Sequence, residues 1–168
     1  MNLYITYGTY EFLSRIKDQY ENETMLLLTG EEDRAMLLHE GKGETVFKEG
    51  NTYEILDQAG DFNSAGFAVL NNIPVSDEGR SIFEYRFSQR AKQIENEPGF
   101  NAIRVLRPKN NDTYIIVTLW DDEQSFLNWQ TSKAYENTHR TRGTSEGIDQ
   151  PSIFPRPSYV TKYTVIKE

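Results

Sequence analysis

Four short segments of this chain are apolar on both faces of the strands that they are predicted to form. Two lie in the second half, at residues 102–106 and 114–120, and two lie in the first half, at residues 25–29 and 35–39. A strand that is apolar on both faces needs a cover on each side. Helices of the same half can cover one face. The other face needs a second cover, and a second sheet from the other half of the chain would supply it.

The second half has a clear order of elements. Strands are predicted at residues 66–75, 100–107, 113–120 and 158–166. A helix over residues 81–96 has one apolar face, formed by Ile82, Phe83, Phe87, Ala91 and Ile94. Another helix follows the third segment, capped by Asp121 or Asp122, and buries Phe126 and Trp129. Ser132 is a predicted cap for a further helix. The order βαββαβ is that of the ferredoxin-like α+β fold.

The first half has a shorter and less regular pattern. Residues 2–7 read as a strand, and Thr9 can cap a helix whose apolar face is Phe12, Leu13 and Ile16. Strands are predicted at residues 25–29 and 35–40, with a third short one at 45–48, while residues 53–58 fit either a strand or a helix. The prediction is an N-terminal βαββ half over residues 1–60. It packs on a ferredoxin-like domain over residues 66–168, as a pseudo-dimer within one chain.

Composition excludes several classes of function. The 168 residues contain no cysteine, which rules out disulfides, thiolate metal ligands and cysteine nucleophiles. The net charge of −8 argues against binding to nucleic acid phosphates. The N-terminus has no signal-peptide pattern, and no apolar run approaches the length of a membrane span. We expect a soluble, cytoplasmic protein with no nucleic acid partner and no membrane contact.

A few polar and aromatic residues stand out from this framework. Asn71 and Asn72 interrupt an apolar strand, so one of them faces a covered side and must find a hydrogen-bond partner there. Alternation places Phe67, Val69, Asn71 and Ile73 on one face of that strand. Trp129 and His139 lie close together near a helix boundary. Trp129 is most simply a core residue, His139 a residue at a helix end, and His39 a surface or edge residue. The alternative is a cavity with one imidazole, one amide and an aromatic wall, which suits heme.

The order and spacing of these residues, with several longer segments, resemble a known family. The segments are YITYGT, YEILDQAG, GFAVLNNI, ENEPGFNAIRVLRP, DTYIIVTLW and SIFPRPSYVT. The chain resembles the Isd-type heme-degrading monooxygenases of the antibiotic biosynthesis monooxygenase superfamily. Within them it is most similar to the longer HmoB type, which is also related to the staphylococcal target of RNAIII-activating protein. The family's site is an asparagine on the first strand of the domain, a tryptophan, and a histidine ten residues after it.

The resemblance implies a role for each matching residue. His139 matches the proximal ligand of the heme iron, and Trp129 matches the residue that presses the porphyrin out of plane. Asn72 matches the amide on the distal side of the iron, with Asn71 as the alternative if the register differs by one residue. Heme is then both substrate and cofactor, O2 is the co-substrate, and an external reductant or reductase supplies electrons. Shorter family members are homodimers whose two sheets form a barrel, so the extra N-terminal half implies one heme site per chain and a monomer.

Other functions use the same residues. The protein could bind or carry heme without turnover, or it could be a regulatory protein like the staphylococcal relative. A cofactor-free quinol monooxygenase is a further alternative within the superfamily. Turnover of heme with a reductant separates heme degradation from heme carriage, and failure to bind heme favours the regulatory function.

Overall fold

Eight strands and three α-helices make up the regular structure of residues 1–89, 93–132 and 153–167, the parts of the chain described by a computed structural model. The first half contributes β1 (Asn2–Gly8), α1 (Tyr10–Gln19), β2 (Thr24–Thr29), β3 (Ala35–Gly41) and β4 (Asn51–Gly60). The second half contributes β5 (Phe67–Pro74), α2 (Arg80–Ser88), β6 (Phe100–Pro108), β7 (Thr113–Trp120), α3 (Glu123–Gln130) and β8 (Tyr159–Val165). Short 3-10 turns lie at Asp77–Gly79 and Gln93–Asn96.

All eight strands join in one closed antiparallel barrel. Their order around the barrel is β1-β3-β2-β8-β5-β7-β6-β4, and β4 returns to β1. Counted from the first strand of each half, the four strands of both halves follow the same order, 4-1-3-2, which is the ferredoxin-like order. The two sheets meet at their edges, through β2 with β8 and β4 with β6.

The barrel encloses one core to which both halves contribute. Leu3, Ile5 and Leu38 of the first half meet Leu70, Val117 and Leu119 of the second half there. This core covers the second face of the strands that are apolar on both sides, while α1, α2 and α3 cover outer faces. The expectation of two covers per strand is therefore met, with the second sheet closing a barrel.

A buried ion pair also connects the halves inside the barrel. Arg104 on β6 is 4% exposed, and its Nε donates to Glu40 Oε2 of β3 at 2.6 Å. The same guanidinium donates to the carbonyls of Ala59 and Gly60 at 3.0 and 2.9 Å, so both charge and hydrogen-bonding groups are compensated. This pair ties the N-terminal half to the C-terminal half without using the strand edges.

Several local predictions were wrong. The helix predicted over residues 81–96 ends at Ser88, where Gln89 is its C-cap, and Ile82 is 44% exposed. Phe83 and Phe87 face the barrel, while Ile82, one position before Phe83, points about 100° away from it. Of the other residues predicted for this face, Ile94 lies beyond the helix and packs against the α3 cluster, and Ala91 lies outside the described residues. Phe12 is 55% exposed for the same reason as Ile82, beside the fully buried Leu13. The Thr9 cap was correct, since its hydroxyl accepts from the backbone N–H of Phe12 at 3.2 Å.

The end of the N-terminal half also differs from the prediction. Residues 45–48 form no strand. Instead the Phe47 ring packs edge-on against His39 at 5.7 Å, and the backbone N–H of Phe47 donates to Thr45. The ambiguous segment 53–58 belongs to β4, because it pairs with both β1 and β6. Among the described residues, no helix is long and apolar enough to cross a bilayer.

Candidate functional site

The outer face of the C-terminal sheet carries the candidate site. On β5, Ala68 and Leu70 point into the barrel, while Phe67 and Val69 point outward. Helix α3 covers one end of this outer face with Phe126 and Trp129. Helix α2 covers the other end, where Phe83 packs on Ile73 and Tyr114. The middle of the face lies between the two helices.

Trp129 is held in an aromatic cluster at the α3 end of this face. Helix α3 begins at a cap in which Asp122 accepts from the backbone N–H of Ser125 at 2.9 Å, and this hydrogen bond lowers the pKa of the Asp122 carboxyl. Trp129, 8% exposed, lies 5.7 Å from the Trp120 ring and 6.1 Å from the Phe126 ring. Trp120 is fully buried, and its indole N–H donates to Thr118 at 3.0 Å. These contacts fix the plane of the Trp129 ring.

Asn72 lies on the inner face of the sheet, opposite to Trp129. It is 7% exposed, and its amide nitrogen is within hydrogen-bond distance of the carbonyls of Leu70 and Tyr159 at 3.1 and 3.2 Å and of Thr161 Oγ1 at 3.3 Å. The expected partner for a covered asparagine is thus found on β8. The side chain of Asn72 joins β5 to β8 from inside the barrel and is not on the face that carries Trp129.

Asn71 lies on the outer face, between Val69 of the α3 cluster and Ile73 of the α2 cluster. Its neighbours across the sheet are Ile116 on β7 and Val160 on β8. Asn71 and Ile116 are half-buried, and Val160 is 54% exposed. Within the described ranges, the Asn71 amide makes no side-chain hydrogen bond. The structure therefore brings Asn71, the register alternative, to the same face as Trp129.

The structure describes one of the two histidines. His139 lies outside the described residues. His39 is described, and the expectation of a surface or edge position was wrong, because it is 1% exposed. Its Nε2 contacts Glu23 Oε1 at 2.8 Å, and its ring packs against Tyr4 at 5.5 Å. His39 is therefore engaged by neighbouring side chains. It lies on the outer face of the N-terminal sheet, away from Asn71 and Trp129.

The arrangement offers a specific set of chemical groups. An indole forms one wall, an amide that can donate a hydrogen bond lies on the floor, and apolar side chains at Val69, Ile116 and Val160 surround it. Among the described residues, no cluster of three histidine or carboxylate side chains could hold a metal ion. These groups fit the flat, largely apolar body of a porphyrin, whose iron needs one axial ligand from elsewhere in the chain.

A second depression lies away from this face. A groove of about 800 Å³ opens at the seam between β2 and β8, with Lys17, Glu21, Glu23, Phe62 and Lys167 among its lining residues. It contains none of the residues predicted for the site, and its lining mixes charges of both signs.

The fold and the site define a class of protein: an α+β barrel of ferredoxin-like type, with an amide and an indole on the outer face of one sheet. The sequence profile described as antibiotic biosynthesis monooxygenase matches residues 66–141. The chain is 30% identical to the signal transduction protein TRAP of Staphylococcus aureus over 135 residues, 80% of each chain. It belongs to the antibiotic biosynthesis monooxygenase family.

Other relatives extend the likeness to nearly the whole chain. A heme-degrading monooxygenase of Listeria monocytogenes is 26% identical over 160 residues, covering 94% of this chain and 95% of the relative. The solved structure of a major regulator of staphylococcal pathogenesis superposes with a TM-score of 0.84 at 25% identity, over 99% of this chain and 100% of the other. The crystal structure of LmHde, a heme-degrading enzyme from Listeria monocytogenes, shares the fold with a TM-score of 0.70 at 24% identity, over 98% and 99% of the two chains.

Proposed function

We propose that this protein is a heme-degrading monooxygenase, which binds heme and opens the porphyrin with O2 and electrons from an external donor. The products are iron and a linear tetrapyrrole. One observation carries the proposal: Asn71 and Trp129 lie on the same outer face of the family's domain, and the exposed Val160 lies directly across from the amide. The whole-length similarity to the Listeria heme-degrading monooxygenase supports it.

Each residue has a role that its chemistry allows. Trp129 would form a wall of the heme site, with its ring held in place by contacts with Trp120 and Phe126. Asn71 donates a hydrogen bond into the site without supplying an acidic proton, and it takes the role that the resemblance had given to Asn72. Ile116 and Val160 would exclude water from the porphyrin face. His139 would supply an imidazole ligand to the iron. When bound, heme supplies the redox chemistry, and the protein supplies position and environment.

The proposal also assigns a role to each half of the chain. Residues 1–60 act as the counterpart of a second subunit, and residues 66–168 form the domain that binds heme, so that one chain makes one site. The common 4-1-3-2 strand order of the two halves supports this pseudo-dimer. In the N-terminal half, the corresponding outer face is filled by His39, Tyr4 and Phe47, which supports a single site.

A regulatory function is the second candidate. It is favoured by the 30% identity over 80% of the chain to a protein named for signal transduction. Such a protein would use the same barrel as a platform for contacts with a partner and would need no heme ligand. Binding of heme separates the two functions, and turnover separates the enzyme from a heme carrier.

Hemin titration of the purified protein tests the proposal. Wild type is expected to give a Soret band that saturates at one heme per chain, and His139→Ala is expected to lose the spectrum of imidazole ligation. His39→Gln is the matched control and should keep the wild-type spectrum, because His39 is occupied by Glu23 and Tyr4. Absence of a saturable Soret band in wild type would refute the proposal and favour the regulatory protein. Bound heme that survives a reductant in air would leave a carrier.

A further inference from the structure

A lysine with no acidic partner among the described residues lies beside the proposed heme site. Lys162 is on the outer face of β8, directly across from Val69, and is exposed. Its Nζ lies 5.5 Å from the centre of the Phe126 ring, in the same aromatic cluster that contains Trp129. No carboxylate of the described ranges forms an ion pair with it. The ammonium is thus held over the α3 end of the site by a ring contact alone.

Three arginines of the same half, among the residues that the structure describes, are already engaged. Arg80 donates to the Tyr114 hydroxyl at 3.3 Å and to the carbonyl of Pro108 at 2.6 Å, Arg107 pairs with Glu84 and Glu54, and Arg156 pairs with Asp112. Each of these guanidinium groups would have to give up an existing partner to bind a ligand. Lys162 would not, so of these four cations it can bind an anion at the lowest cost.

The chain as a whole repels anions, since its net charge is −8. Heme carries two propionate groups at one edge, so binding it here requires a local cation to offset that repulsion. Lys162 is a diagonal neighbour of Asn71 across the β5–β8 pair, about 7–8 Å away by the geometry of antiparallel strands. A lysine side chain can extend further from that point to the rim of a flat ligand that covers Asn71.

We infer that Lys162 binds a propionate of the porphyrin and so sets the edge of heme that faces β8. The inference rests on the proposed function, and it adds the recognition of the substrate's carboxylates to it. The ion pair is partly solvated, as Lys162 is exposed. Its effect on affinity is therefore modest and falls with ionic strength.

The test compares two ligands and two lysines. Hemin and hemin dimethyl ester, which lacks the charged carboxylates, are titrated into wild type, Lys162→Met and Lys167→Met in the same detergent-containing buffer. Lys162→Met should weaken hemin binding about two- to fivefold and leave the dimethyl ester unchanged. Lys167→Met is the control and should behave as wild type, because the Lys167 ammonium lies elsewhere, 3.5 Å from the Ser64 carbonyl. Added salt should weaken hemin binding to wild type more than to Lys162→Met.

The outcomes separate this inference from the proposed function. If wild type binds hemin but Lys162→Met binds it equally well, the role of Lys162 is refuted and heme binding stands. The same holds if wild type does not distinguish hemin from its dimethyl ester. If wild type binds neither ligand, the proposed function fails, and the role of Lys162 fails with it.

Discussion

Alanine substitutions at Asn71 and Asn72 should affect different properties: Asn72→Ala should lower stability, and Asn71→Ala should lower turnover. Asn72→Ala removes an amide that serves the carbonyls of Leu70 and Tyr159 and the Thr161 hydroxyl in a position that is 7% exposed. Leaving buried acceptors without a donor costs about 1–3 kcal/mol in the free energy of unfolding. For a chain of this size, a loss of about 2 kcal/mol lowers the melting temperature by about 4–8 °C.

Asn71→Ala should leave stability within about 0.5 kcal/mol of wild type, because the side chain is half-buried and makes no hydrogen bond within the described part of the chain. Its effect should appear in turnover, which is expected to fall on the order of a hundredfold when a hydrogen-bond donor is removed from a reaction centre. Urea unfolding followed by tryptophan fluorescence measures the first effect, and the rate of Soret loss with reductant in air measures the second. Loss of turnover in a stably folded Asn72→Ala, with Asn71→Ala unaffected in both assays, would refute the assignment from strand faces.

Three further changes give distinct expected results. Glu40→Leu should lower the free energy of unfolding by about 3–5 kcal/mol, because it leaves the Arg104 charge buried and unpaired. The double variant with Arg104→Met should recover part of this loss. Stability losses in urea unfolding that are additive for the two substitutions would contradict the pairing. Arg107 lowers the pKa of the Glu84 carboxyl below its ordinary 4.5, so the ionised carboxylate stabilises the fold above that pH and its contribution is lost as the pH falls through the lowered value. Glu84→Gln should therefore show a shallower loss of stability in acid than wild type, and parallel acid melts would contradict this. Trp129→Phe should bind heme with less distortion of the porphyrin, seen as a shift of the structure-sensitive resonance Raman lines, and an unchanged spectrum would argue against contact.

The alternation of side chains along residues 67–73 was enough to predict which residues share a face. Period two is a property of any extended strand, and β5 follows it from Phe67 to Ile73. The sequence could not show which of the two faces α3 would cover. That choice depends on where Trp129 packs, and its packing against Trp120 is a contact between distant segments.

Other features depended on partners that no local pattern contains. Residues 53–58 form a strand because β1 and β6 lie on either side of them, although their own pattern favours neither strand nor helix. His39 is buried because Phe47 and Glu23, from two other segments, close over it. From sequence Lys162 is an ordinary lysine, and its proposed role in binding a propionate rests on the face it shares with Val69 and Phe126.

Heme degradation by this chain can be tested by measuring heme loss and iron release at the same time. Purified protein loaded with one equivalent of hemin is given a reductant in air, with catalase present to remove free peroxide, and a ferrous chelator reports released iron. If the protein degrades heme, the Soret band decays with one iron released per heme and a linear tetrapyrrole formed, and His139→Ala does not support the reaction. A Soret band that persists, or that decays without release of iron, would contradict heme degradation.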